Sequence, residues 1–266
     1  MELSFLFRVC RGEAGEQSGG MGPGHLLKTC RVFSCLVWMG GAGMVGLMAN
    51  SEAEHVILLH GLVRSSGSME KMADALVGAG FSVDNRDYPS RDHDVLTLAE
   101  AAVGEALATP EAQAATKIHF VTHSMGGILV RVYLSRIKPT KLGRVVMLAP
   151  PNKGSEVVDR LGDWTVFGWV NGPAGGELGT GEDSLPKRLG PVDFPLGVIA
   201  GDRSINWINS MMLPGPDDGK VTVEATRVEG MNDHLVVHAT HPNIMKNREV
   251  IDQTLHFLRE GKFRRW

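Results

Sequence analysis

The sequence predicts an α/β domain with a mostly parallel central sheet, helices on both faces and a short cap excursion. Three observations predict it. Short apolar runs alternate with amphipathic segments from residue 54 onward, the signature of βαβ units on a parallel sheet. A chain of 266 residues that is 43% hydrophobic has enough apolar side chains to bury one large core. The carboxyl-terminal part ends on a strand, a short loop and an amphipathic helix, and no internal repeat interrupts the pattern.

The elements run in order along the chain. HVILLH, 55–60, is a buried strand, and SMEKMADALVGAG, 68–80, is a helix because Met69, Met72, Ala73, Leu76 and Val77 fall at helical spacing and Gly80 caps its end. FSVDNRDY, 81–88, is the next strand, and DVLTLAEAAVGEALA, 94–108, is a helix ended by Thr109 and Pro110. KIHFVTH, 117–123, then GGILVRVYLSRIK, 126–138, form a third strand and helix. GRVVMLAP, 143–150, FPLGVIAG, 194–201, and HLVVHA, 234–239, are further strands, and NREVIDQTLHFLREG, 247–261, is the closing helix. Residues 151–193 break the pattern: Trp164, Phe167 and Trp169 lie among many Gly and Pro, so the segment reads as a cap or lid rather than another βα unit. It leaves the carboxyl end of a parallel strand, where ligands bind in open α/β sheets.

The first fifty residues differ in kind. Residues 11–25 are rich in Gly and polar groups, and Lys28 and Arg31 precede an uncharged apolar run at 32–49. Basic residues, an apolar run and a small residue such as Ala49 are the order of a secretory signal peptide, and a start at Met21 would give it a normal length. The run is also near the minimum length of a membrane span, so an anchor is the alternative reading. The expected organisation is a leader with a signal-like or anchor segment over 1–50 and one α/β domain over 51–266, exported or membrane-anchored, and cytoplasmic if the leader is not a signal.

Composition excludes several function classes. The net charge of -3 and scattered Lys and Arg leave no basic face for nucleic acid. Cys10, Cys30 and Cys35 all precede residue 36, so the folded body has no thiol for a disulfide, a zinc cluster or a cysteine nucleophile. A zinc site from His234, His238 and His241 is disfavoured by the two-residue period of a strand, which turns neighbours to opposite faces.

The chemistry concentrates at THSMGG, 122–127. Ser124 sits between a predicted strand and a predicted helix, among Thr122, Gly126 and Gly127, the setting of a nucleophile elbow: a turn so tight that neighbours two residues away must be small. A serine hydroxyl is a weak nucleophile until a base takes its proton, so a histidine and a carboxylate are expected downstream. THSMGG, LLHG at 58–61 and the late Asp and His together resemble the α/β-hydrolase superfamily in its lipase and carboxylesterase branch, over residues 54–261. Thr122 departs from the G-x-S-x-G pattern of that superfamily.

The resemblance places the base in the loop after the last strand, which selects His241; His123 adjoins the serine and points elsewhere, His234 lies at the far end of its strand, and His238 reads as a packed imidazole within it. For the acid, Asp218 matches the D-G-x-V pattern of such lipases through Gly219 and Val221, with Asp202 and Asp217 as alternatives; Asp233 reads as a solvated loop charge. The backbone amides of Met125 and, by the family pattern, Leu62 would form the oxyanion hole. Asn152 and Gly154 in PPNKGS resemble a lipase turn that lines the site. The resemblance implies hydrolysis of a small-molecule ester or a lipid through an acyl-enzyme, with no metal or organic cofactor needed. A thioesterase, amidase or acyltransferase would use the same groups, and a non-catalytic binding protein on this fold is the reading from another class. Membrane association would come through residues 32–49.

Overall fold

Parallel strands covered on both faces read as largely apolar runs, and His55–Leu59 (β1) and Ile118–His123 (β3) are buried at every position, their polar members His55, His119, Thr122 and His123 included. With Ser82–Arg86 (β2), Leu142–Leu148 (β4), Leu196–Gly201 (β5) and Asp233–Val237 (β6) they form a six-stranded sheet in the order β2-β1-β3-β4-β5-β6. Every pairing between neighbours is parallel. The computed structural model describes residues 53–156, 158, 172–204, 213 and 215–265. The apolar run at 32–49, Ala49, and Trp164, Phe167 and Trp169 lie outside the described residues.

Among the described residues, helices between the strands include Glu70–Gly78 (α1), Val95–Ala99 (α2), Glu105–Leu107 (α3), Pro110–Ala114 (α4), Met125–Leu134 (α5) and Leu185–Arg188 (α6), and Arg248–Glu260 (α7) follows the last strand. Strand alternation divides the core in two. Ile57, Leu59 and Phe120 face a layer built from Val95, Leu98, Val103, Ile128 and Leu129. Val56, Leu58 and Val121 face Met72 and Leu76 of α1 and Val250, Phe257 and Leu258 of α7. Helices on both faces of a parallel sheet are the architecture that the alternating pattern predicts.

Local signals set the boundaries. Asp94 caps α2 by accepting from the Thr97 amide at 2.8 Å, and Asn247 caps α7 by accepting from Val250 at 3.3 Å. Gly261, with φ of 75°, ends α7 in the left-handed conformation. The predicted helix over 94–108 is instead α2, a π-helical turn at Glu100–Gly104, and α3. Thr109 and Pro110 begin a further turn, α4, because Thr109 accepts from the Ala112 amide at 3.3 Å and Pro is tolerated at the first helical position. The third helix stops at Leu134, four residues short of the predicted end. Pro139 cannot donate to the ladder, and Ile137 is left 57% exposed without a core to join.

Candidate active site

Strand β3 ends at His123, and the chain reverses into α5 within one residue. That residue, Ser124, has φ of 52° and ψ of -122°, a conformation that costs an ordinary L-residue of order 1–3 kcal/mol and is held by what surrounds it. Its amide donates to Leu148 O of β4 at 2.9 Å, which ties the turn to the sheet. A Cβ on Gly126 would lie 2.7 Å from Leu59 O and 2.8 Å from His60 O, so only glycine lets the helix start this close to β1. Thr122 stands opposite Gly127: its Oγ1 is 3.2 Å from where a Cβ on that glycine would be. The departure at position 122 is thus accommodated by the additional glycine at 127.

The other strand ends deliver the remaining groups to this point. After β5 the chain reaches Asp218 in a tight turn, where Oδ1 accepts from the amides of Lys220 at 3.0 Å and Val221 at 2.9 Å. Oδ2 is thereby left to His241, whose Nδ1 lies 2.8 Å away, while Nε2 of the same ring lies 3.2 Å from Ser124 Oγ. The His241 amide also donates to Asp218 O at 2.9 Å, so the two loops are joined by backbone as well as side chain. Gly201 makes this approach feasible, because a Cβ there would meet Ala239 O at 2.4 Å and Asp218 Cβ at 2.9 Å. Asp218 and His241 are 1% and 3% exposed, so their attraction is little screened.

A carboxylate oxygen only accepts, so His241 carries its hydrogen on Nδ1 and offers the Nε2 lone pair to the serine hydroxyl. The arrangement can take a proton from Ser124 and stabilise the resulting imidazolium. Leu62 and Ser124 line one cavity, and Met125 is the first residue of α5, where helix amides have no partner in the helix's own ladder. Gly61 positions Leu62 by permitting close contact: a Cβ on it would lie 2.9 Å from His123 Nδ1 and 3.1 Å from Ser124 Cβ.

The alternative acids make other contacts. Asp202 follows β5 but pairs with His238 Nδ1 at 2.9 Å, away from Ser124. Asp217 accepts from the Gly219 amide at 2.7 Å and shapes the turn. His234, at the start of β6, is held by Thr226 Oγ1 at 2.9 Å. Among the described residues no group of three or more His, Cys, Asp or Glu could hold a metal.

Four expectations need correction. His238 is not a packed imidazole, since β6 ends at Val237 and the ring projects with its side chain 73% exposed. Asp233 is not a solvated loop charge: it opens β6 and accepts from the amides of His234 and Phe263, both at 2.8 Å. His123 does not point away; it packs against His241 at a centroid distance of 4.8 Å, and its Nε2 donates to His241 O at 3.1 Å. Burial, and next the charge that His241 can carry, push its pKa well below the usual histidine value, so it packs against His241 as a neutral ring.

Nor does Asn152 line the site. It is buried beneath it, with Nδ2 donating to Thr226 O at 2.8 Å and with Oδ1 and O accepting from Arg131 at 3.2 and 3.0 Å. Arg131 also donates to Pro186 O and Gly190 O, at 3.2 and 2.8 Å, and burial lowers its pKa to about 10. Neither role shows in the sequence, where Arg131 is one polar residue on an otherwise apolar helix.

A model of the alpha/beta hydrolase family matches residues 56–244. Among solved structures, the mature lipase BlEst2 of Bacillus licheniformis superposes with a TM-score of 0.60 at 18% identity, over 79% of this chain and 93% of that one. A metagenomic carboxyl esterase superposes at 0.58 and 17% identity, over 73% and 66%. Phospholipase PlaB of Legionella pneumophila superposes at 0.55 and 22% identity, over 66% and 46%. At these identities the likeness is one of fold. A search of curated proteins gave no match. With the parallel sheet, the strained serine at the β3–α5 turn and the family model spanning most of the described domain, the chain belongs to the alpha/beta hydrolase family.

Proposed function

We propose that the protein hydrolyses carboxylic esters as a serine hydrolase of the carboxylesterase or lipase type. One observation carries the reading: the continuous chain from Asp218 Oδ2 through His241 to Ser124 Oγ, at 2.8 and 3.2 Å, at the carboxyl edge of the sheet. His241 takes the Ser124 proton as the oxygen attacks the ester carbonyl. The amides of Met125 and Leu62 stabilise the oxyanion, each worth roughly 3 kcal/mol. His241 then returns the proton to the departing alcohol, leaving an acyl-enzyme. Water repeats the sequence on the acyl group and frees the acid. An apolar wall that includes Leu62, Leu178 and Val221 suits a hydrocarbon portion of the substrate, and the lipase and esterase neighbours support the same reaction class.

A fluorophosphonate probe tests the reading. It should label the wild-type protein and leave Ser124→Ala unlabelled, with loss of para-nitrophenyl butyrate hydrolysis. Equal labelling of the two proteins would refute the mechanism. From the sequence of residues 1–50 we also propose that the protein is exported or membrane-anchored by its apolar run at 32–49.

A further inference from the structure

The cavity over Ser124 combines an apolar wall, including Leu62 and Val221, with two cations, Arg64 and Lys220. Among its described lining residues there is no carboxylate, and among the described residues neither cation forms an ion pair. Both are rooted in the loops that serve the reaction. Arg64 follows Leu62 by two residues, beyond Val63, whose φ of 57° is an outlier for a β-branched residue and whose amide donates to Ser90 Oγ at 3.1 Å. Lys220 belongs to the Asp218 turn: its amide donates to Asp218 Oδ1 at 3.0 Å and its carbonyl accepts from Ser155 Oγ at 2.9 Å.

Two like charges held at one pocket repel, and Lys220 registers this. Both residues are exposed to solvent as well as lining the cavity, and the Lys220 pKa is lowered first by the protein packed about it and next by Arg64, with Asp218 opposing. Among the described residues, the other charged groups near the pocket do not relieve the repulsion. Asp218 is spent on His241 and on its own turn, while His123 stays neutral. A bound anion would relieve it, and a strained backbone that sets one cation's loop fits a built feature of the site.

We infer that Arg64 and Lys220 recognise an anionic oxygen group on the substrate, so that the preferred esters carry a carboxylate, sulfonate or phosphate beside an apolar portion. The inference rests on the ester-hydrolase reading and names its substrate class. The charge selects the ester; attack and proton transfer by Ser124 and His241 are unchanged.

The test compares matched esters. Mono-para-nitrophenyl glutarate against para-nitrophenyl pentanoate places the charge on the acyl side, and para-sulfophenyl butyrate against phenyl butyrate places it on the alcohol side. A short-chain phosphatidylglycerol against its phosphatidylcholine counterpart presents the charge on a lipid headgroup. The readout is the ratio of kcat/KM, anionic over neutral, in wild type, Arg64→Gln and Lys220→Gln. A ratio is independent of the fraction of each variant that folds. In at least one pair the wild-type ratio should exceed that of either variant by about tenfold, and it should fall as salt is added. The pair that responds identifies the source of the anion. Ratios unchanged by both substitutions in all three pairs would overturn the inference while leaving ester hydrolysis intact. Absence of turnover on every ester, without probe labelling at Ser124, would instead overturn the underlying reading.

Discussion

Replacing Asp218 by asparagine changes one atom of the site, and the hydrogen bonds already in place dictate the consequence. Oδ1 is engaged by the amides of Lys220 and Val221 at 3.0 and 2.9 Å, so the asparagine oxygen stays there and its NH₂ takes the place of Oδ2, 2.8 Å from His241 Nδ1. A donor then faces a donor. The ring relieves this by moving its hydrogen to Nε2, which removes the lone pair that Ser124 needs. Restoring the productive tautomer forfeits a buried hydrogen bond, about 1.5 kcal/mol. Forming the imidazolium without a carboxylate beside it loses about 4 kcal/mol more, for unit charges about 4 Å apart at an effective dielectric of about 20. Together these predict a loss in kcat of about 10⁴-fold, the size found for the equivalent change in a serine protease. The fold should be kept, because the turn's two amide bonds survive. The assay is kcat for para-nitrophenyl butyrate, with circular dichroism and thermal melting as the check on folding. Asp202→Asn, at a carboxylate that pairs with the exposed His238, should leave kcat within about twofold of wild type. A folded Asp218→Asn with near wild-type kcat, or an inactive Asp202→Asn, would refute the assignment of the acid.

Arg131→Met should destabilise the protein by about 3 kcal/mol, a fall in Tm of about 8 °C, because it leaves four oxygen acceptors beneath the site without their donor. Arg131→Lys should not restore the loss, since one ammonium cannot span acceptors on three segments. Stability should also fall as pH drops. Burial lowers the folded-state pKa of His55, His60, His119, His123 and His234, the last to about 4. Their unfolded value is 6.5, so on acidification the unfolded chain takes up protons first; the stabilisation is complete above 6.5 and is lost as pH falls from there toward the folded values. Urea midpoints should therefore be lower at about pH 5 than at about pH 7.5, and equal midpoints would contradict the burial of these rings. Residues 1–50 fused to a reporter that is active only outside the cytoplasm should give signal, and a reporter retained inside would refute the export proposal.

Much of the site was legible because each of its residues obeys a local pattern. A serine among small residues between a β-branched run and an apolar helical run needs no tertiary information to be read as an elbow, and His241 is marked by its place after the last strand. The acid was less legible. Asp202 and Asp218 each stand in polar sequence beyond the same strand, and both have a histidine within reach. What separates them is a register that no local pattern records: Gly201 brings the Asp218 turn against Ala239, whereas Asp202 is directed to His238 at the sheet edge. Val63, Arg64 and Lys220 were likewise illegible, since a valine with positive φ and two cations far apart in sequence carry no short-range signature.

The sequence by itself determined the parallel sheet, the places of its longer helices α1, α5 and α7, and the position of the serine turn. These depend on periodicity and on residues that few backbone conformations tolerate, and both act over distances of a few residues. Tertiary structure alone decided which carboxylate meets His241, that His123 buttresses that ring, that Arg131 ties the turn at Asn152 to the loops around Pro186 and Gly190, and that two cations share the pocket over Ser124. Each of these is a contact between parts of the chain far apart in sequence, and the distance between such parts is set by the registry of the sheet and the packing of the helices and loops upon it.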